Sequence, residues 1–355
     1  MRKRFLVTGG AGYVGSHLVA EILGCGADCV VLDNLSTGHA AAVLPGAALK
    51  TADLADETAL DALLADGPWD AVFHFASLSL VGDSMRRPLG YLQANIGNGL
   101  NLIEACVRHG VRRFVLSSTA NLFGNPDRMP IDDDSAVNPG SAYGDSKWTL
   151  ERALHWADQV HGLRSASLRY FNAAGADPAG RLGEDHDPET HLIPLVIDAA
   201  LGRRSHVAVF GKDYPTPDGT CIRDYVHVSD LARAHLAVLD RLEGSSVRYN
   251  LGTGTAIRCS RSSARSGASA GGRCPPRSPP AARATRRCWS PPRRGSRARP
   301  DGGRSSLRST RSSRRRFGGR RSTRRGTPRS PPIADPLLSV LSAAGVTVSG
   351  EIENG

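Results

Sequence analysis

Short apolar runs alternate with stretches of helical period over the first two-thirds of the chain. Phe5-Leu6-Val7 ends in Thr8 and predicts a strand; Leu18, Val19, Ile22 and Leu23 then recur at helical spacing. Cys29-Val30-Val31-Leu32 predicts a second strand ending at Asp33-Asn34, and Ala71 to Ala76 predicts a third. Leu102 to His109 reads as a helix, Arg113 to Ser118 as a fourth clear strand, and Ala142 to Lys147 as the start of another helix. Strands alternating with helices specify an α/β fold with a doubly wound parallel sheet (a Rossmann fold). Ligands in that architecture gather at the carboxyl ends of the strands, where Asp33, Phe75 and Thr119 fall.

From Ile257 to Pro332 the patterning vanishes. Arg, Ser, Pro, Gly and Ala dominate, a composition too poor in apolar residues to order itself around a core. The doubly wound sheet is therefore placed in residues 1–172 completed by about 225–255. A smaller region, 173–224, lies between, and a disordered basic tail covers 256–355.

Charge sharpens that boundary. The net charge is +11, but 23 of the 45 Lys and Arg lie after Ala256, against 4 of the 34 Asp and Glu. The part with fold-like patterning is acidic, so the basic total says nothing about its partner. Taken literally, the tail is a candidate nucleic-acid binder, but Trp289 and Phe317 alone offer little for base stacking, and nucleic acid is not the expected partner. No apolar run reaches the ~18 residues of a membrane span, and a strand so near Met1 leaves no visible secretory signal. The 7 cysteines show no metal spacing, so reduced thiols, a cytoplasmic setting and no metal are expected.

The candidate chemistry begins at the turn after the first strand. Gly9, Gly12 and Gly15 fall between strand and helix, where a dinucleotide pyrophosphate can rest on the helix N-terminus. Gly9 permits a tight turn, Gly12 a close backbone approach and Gly15 close packing. Asp33, about twenty positions on, suits the adenosine ribose hydroxyls and repels a 2′-phosphate, which favours NAD over NADP. Asp53 and Leu54 are placed to flank the adenine. Tyr143 and Lys147, at i and i+4, share one face of their helix. An ammonium one turn away, joined by a positive nicotinamide ring, favours the phenolate and is expected to lower the Tyr143 pKa from its ordinary ~10, making it a base for a hydroxyl held by Thr119.

The strings TGGAGYVGSH, VLDNLSTG, HFASLSLVGDS, SSTANLFG, AYGDSK, LRYFNAAGADP, GEDHDPETHLIP, FGKDYPTPDGTCIRDYVHVSDLA and YNLGTG resemble the UDP-glucose 4-epimerases of the extended short-chain dehydrogenase/reductase family. That resemblance runs from Phe5 to Gly254. It implies a tightly held NAD and a UDP-galactose or UDP-glucose substrate passing through a 4-keto sugar. It also implies Tyr143 as base, Lys147 as its tuning partner and nicotinamide-ribose ligand, and Thr119 as the hydroxyl contact. Tyr13, Val14, Asp33, Asn34, Asp53, Leu54, Phe75, Ala76, Asn95 and Phe171 fall among the implied NAD contacts, with the three glycines. Asn172, His191, Leu192, Phe210 and Arg223 fall among the implied UDP-sugar contacts. A homodimer through the helix of Tyr143 and its neighbour is implied for a chain with an intact C-terminus.

The resemblance stops where the patterning does. Reading the tail codons in a frame shifted by one base near Thr255 restores family-like segments in the right order. Ala281 to Thr285 then allows RRPGD, and Thr323 to Thr327 allows HPxGY. Ile257–Gly355 is accordingly read as out-of-frame translation. The segment it replaces is implied to close the sugar pocket and to supply a second diphosphate-binding arginine. A catalytically dead NAD- or UDP-sugar-binding protein is the alternative function.

Overall fold

The computed structural model describes residues 2–126, 130–133, 135–208, 213–214, 216–217 and 219–254, and the backbone of 257–258. Phe210 and the basic segment beyond Arg258 lie outside the described residues, so the expectations placed on them are not addressed by the fold.

In chain order the first half contains β1 (Arg4–Thr8), α1 (Tyr13–Gly24), β2 (Asp28–Asp33), β3 (Ala47–Thr51), α2 (Glu57–Ala65) and β4 (Ala71–His74). Then come α3 (Val81–Arg86), α4 (Pro88–Leu92), α5 (Asn98–Arg108), β5 (Arg113–Thr119), α6 (Ala142–His161) and β6 (Arg164–Tyr170). The remainder comprises β7 (Asn172–Ala174), α7 (Leu192–Ala200), β8 (Ile222–Arg223), β9 (Tyr225–His227), α8 (Val228–Ala237), β10 (Val247–Leu251) and β11 (Ile257–Arg258).

Seven strands form one sheet in the order β10-β6-β5-β4-β1-β2-β3, and every pairing is parallel. The winding reverses between β1 and β4, the switch point at which such sheets open a crevice. Alternation along each strand feeds two cores. Leu6, Val30, Leu32, Val72, Phe114 and Leu116 pack with residues of α2, α5 and α6. Their neighbours Phe5, Val7, Cys29, Val31, Phe73 and Val115 pack on the other face with α1, α8 and the turn that follows it. Both faces are dry, as a parallel sheet requires.

Two strand expectations are corrected. The third strand in sequence is Ala47–Thr51, at the sheet edge, and its half-exposed AALKT pattern carries too weak an apolar signal to be read as a strand. The strand from Ala71 stops at His74; Phe75 and Ala76 turn out of the sheet, both donating their backbone N–H to the Thr8 carbonyl. Outside the sheet, β7 pairs with β9 and β8 with β11. No helix among the described residues is long and apolar enough to cross a membrane.

Candidate active site

A cavity of about 1520 Å³ opens over the carboxyl ends of β1, β2, β4, β5 and β6. It exceeds the ~300–1,000 Å³ usual for one small ligand. Every residue selected from the sequence lines it, save Lys147 and the undescribed Phe210.

The glycine turn is steric in origin. Gly9 has φ +73°, and a Cβ there would stand 2.4 Å from the Ala76 nitrogen; one on Gly15 would stand 2.2 Å from the Gly9 carbonyl oxygen. Gly12, the residue capping α1, would meet protein only at 3.4 Å. The protein's own packing thus demands glycine at 9 and 15, whereas the small residue at 12 leaves the cavity side of the helix start open. Asp33 secures this arrangement. One carboxylate oxygen accepts the Ala11 N–H at 3.0 Å and the other the Leu35 N–H at 2.9 Å, bracing the left-handed backbone of Leu35. Asn34 donates to Asp53 at 2.6 Å. The Asp53 carboxyl is held below its ordinary range by the Ala55 backbone N–H and then by Asn34. Asn95 is a clamp: its amide bonds both backbone groups of Leu78 and the hydroxyl of Ser146.

The opposite wall carries Thr119 and Tyr143. Helix α6 begins at Ala142 because Ser141 caps it, accepting the Gly144 N–H at 3.1 Å. Gly144 lies so close to the Asn121 carbonyl that a Cβ would sit 2.7 Å from it, which brings the helix start against the turn after β5. The Thr119 hydroxyl accepts from the Asn121 backbone and side chain, and it stands close enough to the Tyr143 phenol to favour its ionised form. Farther along α6, Glu151 is buried and takes three hydrogen bonds from Arg169 on β6 at 2.6–3.2 Å and one from Ser118 on β5 at 2.6 Å. The Arg169 bonds fix the helix of Tyr143 to β6, and the Ser118 bond fixes it to the strand of Thr119. The sequence reading passed over Glu151, although it lies one turn beyond Lys147 on the same face.

The chain's own groups do not supply the lowering of the Tyr143 pKa, which leaves that part to the nicotinamide charge. Burial pushes the phenol above its ordinary value, nearby Tyr170 adds to the rise, and the nearby Thr119 hydroxyl only partly opposes it. Lys147 is fully buried and does not line the cavity; burial pushes its ammonium down to about 7. Desolvation therefore outweighs the attraction the i, i+4 spacing suggested.

On the substrate side, Asn172 donates its side-chain amide to the Asp224 carbonyl at 2.9 Å, which seats it at the wall. Arg223 reaches the Ile222 carbonyl at 3.1 Å and makes no ion pair among the described residues. Its neighbour Asp224 is buried and binds the backbone and hydroxyl of Thr253 and the Gly254 N–H, so the two do not form a surface pair. His191 caps α7, and its Nδ1 lies 3.0 Å from both Glu184 and Glu189. The bond to Glu184 leads the rise in the His191 pKa. Burial works to raise the Glu184 pKa, but the imidazoles of His186 and His191 outweigh it and hold it low. Glu184, His186 and Glu189 were not singled out from the sequence.

A family model described as "NAD dependent epimerase/dehydratase family" matches residues 5–252. The chain is similar to a UDP-glucose 4-epimerase of Halalkalibacterium halodurans, 47% identical over 251 residues, which cover 70% of this chain and 75% of that one. Among solved structures it is similar to a UDP-glucose 4-epimerase from Brucella ovis in complex with NAD, at TM-score 0.71 and 43% identity, covering 73% of this chain and 80% of that one. The same enzyme from Bifidobacterium longum, in complex with NAD+ and UDP, matches at TM-score 0.69 and 35% identity, covering 72% of this chain and 80% of that one.

Proposed function

The chain belongs to the NAD dependent epimerase/dehydratase family, and we propose that its reaction is the interconversion of UDP-galactose and UDP-glucose. The observation that carries this is the Thr119–Tyr143 pair facing the same cavity as the glycine turn and Asp33.

NAD suits the residues present. Gly12 leaves the start of α1 open to a pyrophosphate, and Asp33 is a carboxylate that accepts ribose hydroxyls and repels a 2′-phosphate. Bound at this turn, NAD would supply the acceptor and donor of the hydride exchanged at sugar C4. The chain's own work is proton handling and positioning. We assign Tyr143 to take the 4-hydroxyl proton, giving a 4-keto sugar, and to give it back after the ring has turned over. Thr119 holds that hydroxyl against the phenol. Lys147 bears on the phenol through the field of its ammonium, and its depressed pKa lets that charge vary near neutrality.

Turning the ring requires firm binding of the nucleotide and loose binding of the hexose. Arg223 is assigned to the diphosphate, where its fork gives paired, charge-assisted bonds. Asn172, His191 and Leu192 complete that side. Elimination at C5–C6 needs an acid and a base beside Thr119. Ala120 has neither, and Asn121 is an amide already spent on Thr119, which favours epimerisation over dehydration.

We read the segment after Ala256 as out of frame; the end of the family match at residue 252 supports this. Leu100 on α5 and Trp156 and Val160 on α6 are exposed, which supports a homodimer through those helices when the C-terminus is intact. A cytoplasmic setting accords with the reduced thiols of Cys25, Cys29 and Cys106.

The test is Tyr143→Phe assayed on UDP-galactose in the frame-restored chain. Turnover should fall by about 10²–10⁴, the range for losing a general base, with NAD retained. Turnover within threefold of the parent would remove Tyr143 from the reaction.

A further inference from the structure

The segment from Glu184 to His191 folds two carboxylates and two imidazoles together beside the start of α1. One ligand atom from each of Glu184, His186, Glu189 and His191 lies within 4.8 Å of all the others. His191 Nδ1 is 3.0 Å from Glu184 and from Glu189, and His186 Nδ1 is 3.5 Å from Glu184 and 3.7 Å from Glu189. A tetrahedron with bonds of ~2.0–2.1 Å, the zinc–nitrogen and zinc–oxygen lengths, has edges of about 3.3–3.4 Å, and these separations bracket it.

Two further observations point to a ligand. His186 Nδ1 is shielded from water, yet its approaches to Glu184 and Glu189, at 3.5 and 3.7 Å, are too long for a good hydrogen bond. A ring nitrogen so placed is costly to leave poorly paired, and a cation between imidazole and carboxylates would satisfy it. The Glu184 side chain is only 9% exposed, so its charge is withdrawn from water. With neutral imidazoles the cluster carries two negative charges, which a divalent ion offsets. No Lys or Arg pairs with either glutamate among the described residues. An entry path exists, since Glu184, His186 and His191 line the open cavity.

We propose that Glu184, His186, Glu189 and His191 form a binding site for a divalent cation of the zinc class. Two imidazoles and two carboxylates suit zinc better than magnesium or calcium, which prefer all-oxygen shells. Nothing in the epimerase reaction calls for this ion. A consequence, which does rest on the UDP-sugar reading above, is that the ion takes His191 from the substrate and acts as an inhibitor that raises KM.

The experiment is zinc titration of the full chain, followed by calorimetry and by X-ray absorption at the zinc edge. The chain also holds cysteines, so the shell must be identified as well as the affinity. The expected result is one equivalent bound through nitrogen and oxygen at ~2.0–2.1 Å. His186→Asn should weaken that site at least ~100-fold, the upper end of what even an outer-shell partner costs. Glu184→Gln should do the same, and retained NAD reports that each variant is folded. Equal affinity in both folded variants, or a shell of sulfur, would overturn the proposal. Zinc that binds without raising KM would leave the site standing and count against the role of His191 toward substrate.

Discussion

A Cβ on Gly15 would lie 2.2 Å from the carbonyl oxygen of Gly9, closer than any side chain can stand to a backbone atom. The start of helix α1 therefore closes on the end of β1 through glycines, and the turn between them faces the cavity.

The three glycines should separate by experiment. Gly15→Ala forces backbone apart and should cost folding stability, by about 1–3 kcal/mol as overpacking does. Gly12→Ala meets protein at 3.4 Å and should leave the urea midpoint nearly unchanged while weakening NAD binding. Equal loss of stability in both variants would contradict this division.

The Glu151–Arg169 pair is buried, with side-chain exposures of 0% and 3%. Glu151→Ala strands a guanidinium in the core and should cost about 3–5 kcal/mol. A loss below 1 kcal/mol in denaturant unfolding would show that water satisfies the stranded guanidinium.

Much of this framework is legible in the sequence because it is local. The apolar run before Gly9 and the helical spacing after it define β1 and α1 within twenty residues. The Tyr143–Lys147 spacing places both on α6. What was missed depends on partners far along the chain. Ala47–Thr51 becomes a strand only because β2 lies beside it. Glu151 matters only because Arg169 crosses it, and the Tyr143 pKa is set by burial that no i, i+4 rule contains.

Acid lability has identifiable sources. Burial pushes His74 down to about 3 and His235 down to about 4. As pH falls below ~6.5 the unfolded chain takes up these protons while the fold does not, so stability is lost from there down to the folded pKa values. His235→Phe should make the fall in unfolding free energy between pH 6 and pH 4 shallower by up to ~1.4 kcal/mol per pH unit, one proton's worth. An unchanged slope would exclude His235 as a source.

The out-of-frame reading is tested by adding one base near the Thr255 codon and comparing both chains. NAD affinity should agree within several-fold, because the glycine turn and Asp33 lie outside the altered segment. Turnover on UDP-galactose should be much higher in the restored chain. Equal specific activity would sink the claim that the altered segment closes the sugar pocket.

The most direct test of the central claim follows deuterium placed at C4 of UDP-galactose through the frame-restored chain. Hydride that leaves and returns within one site keeps the label, so UDP-glucose should carry deuterium at C4 with no net rise in NADH absorbance. Product whose C4 deuterium has been replaced from solvent, or NADH accumulating in step with turnover, would contradict a recycled hydride and the epimerase mechanism with it.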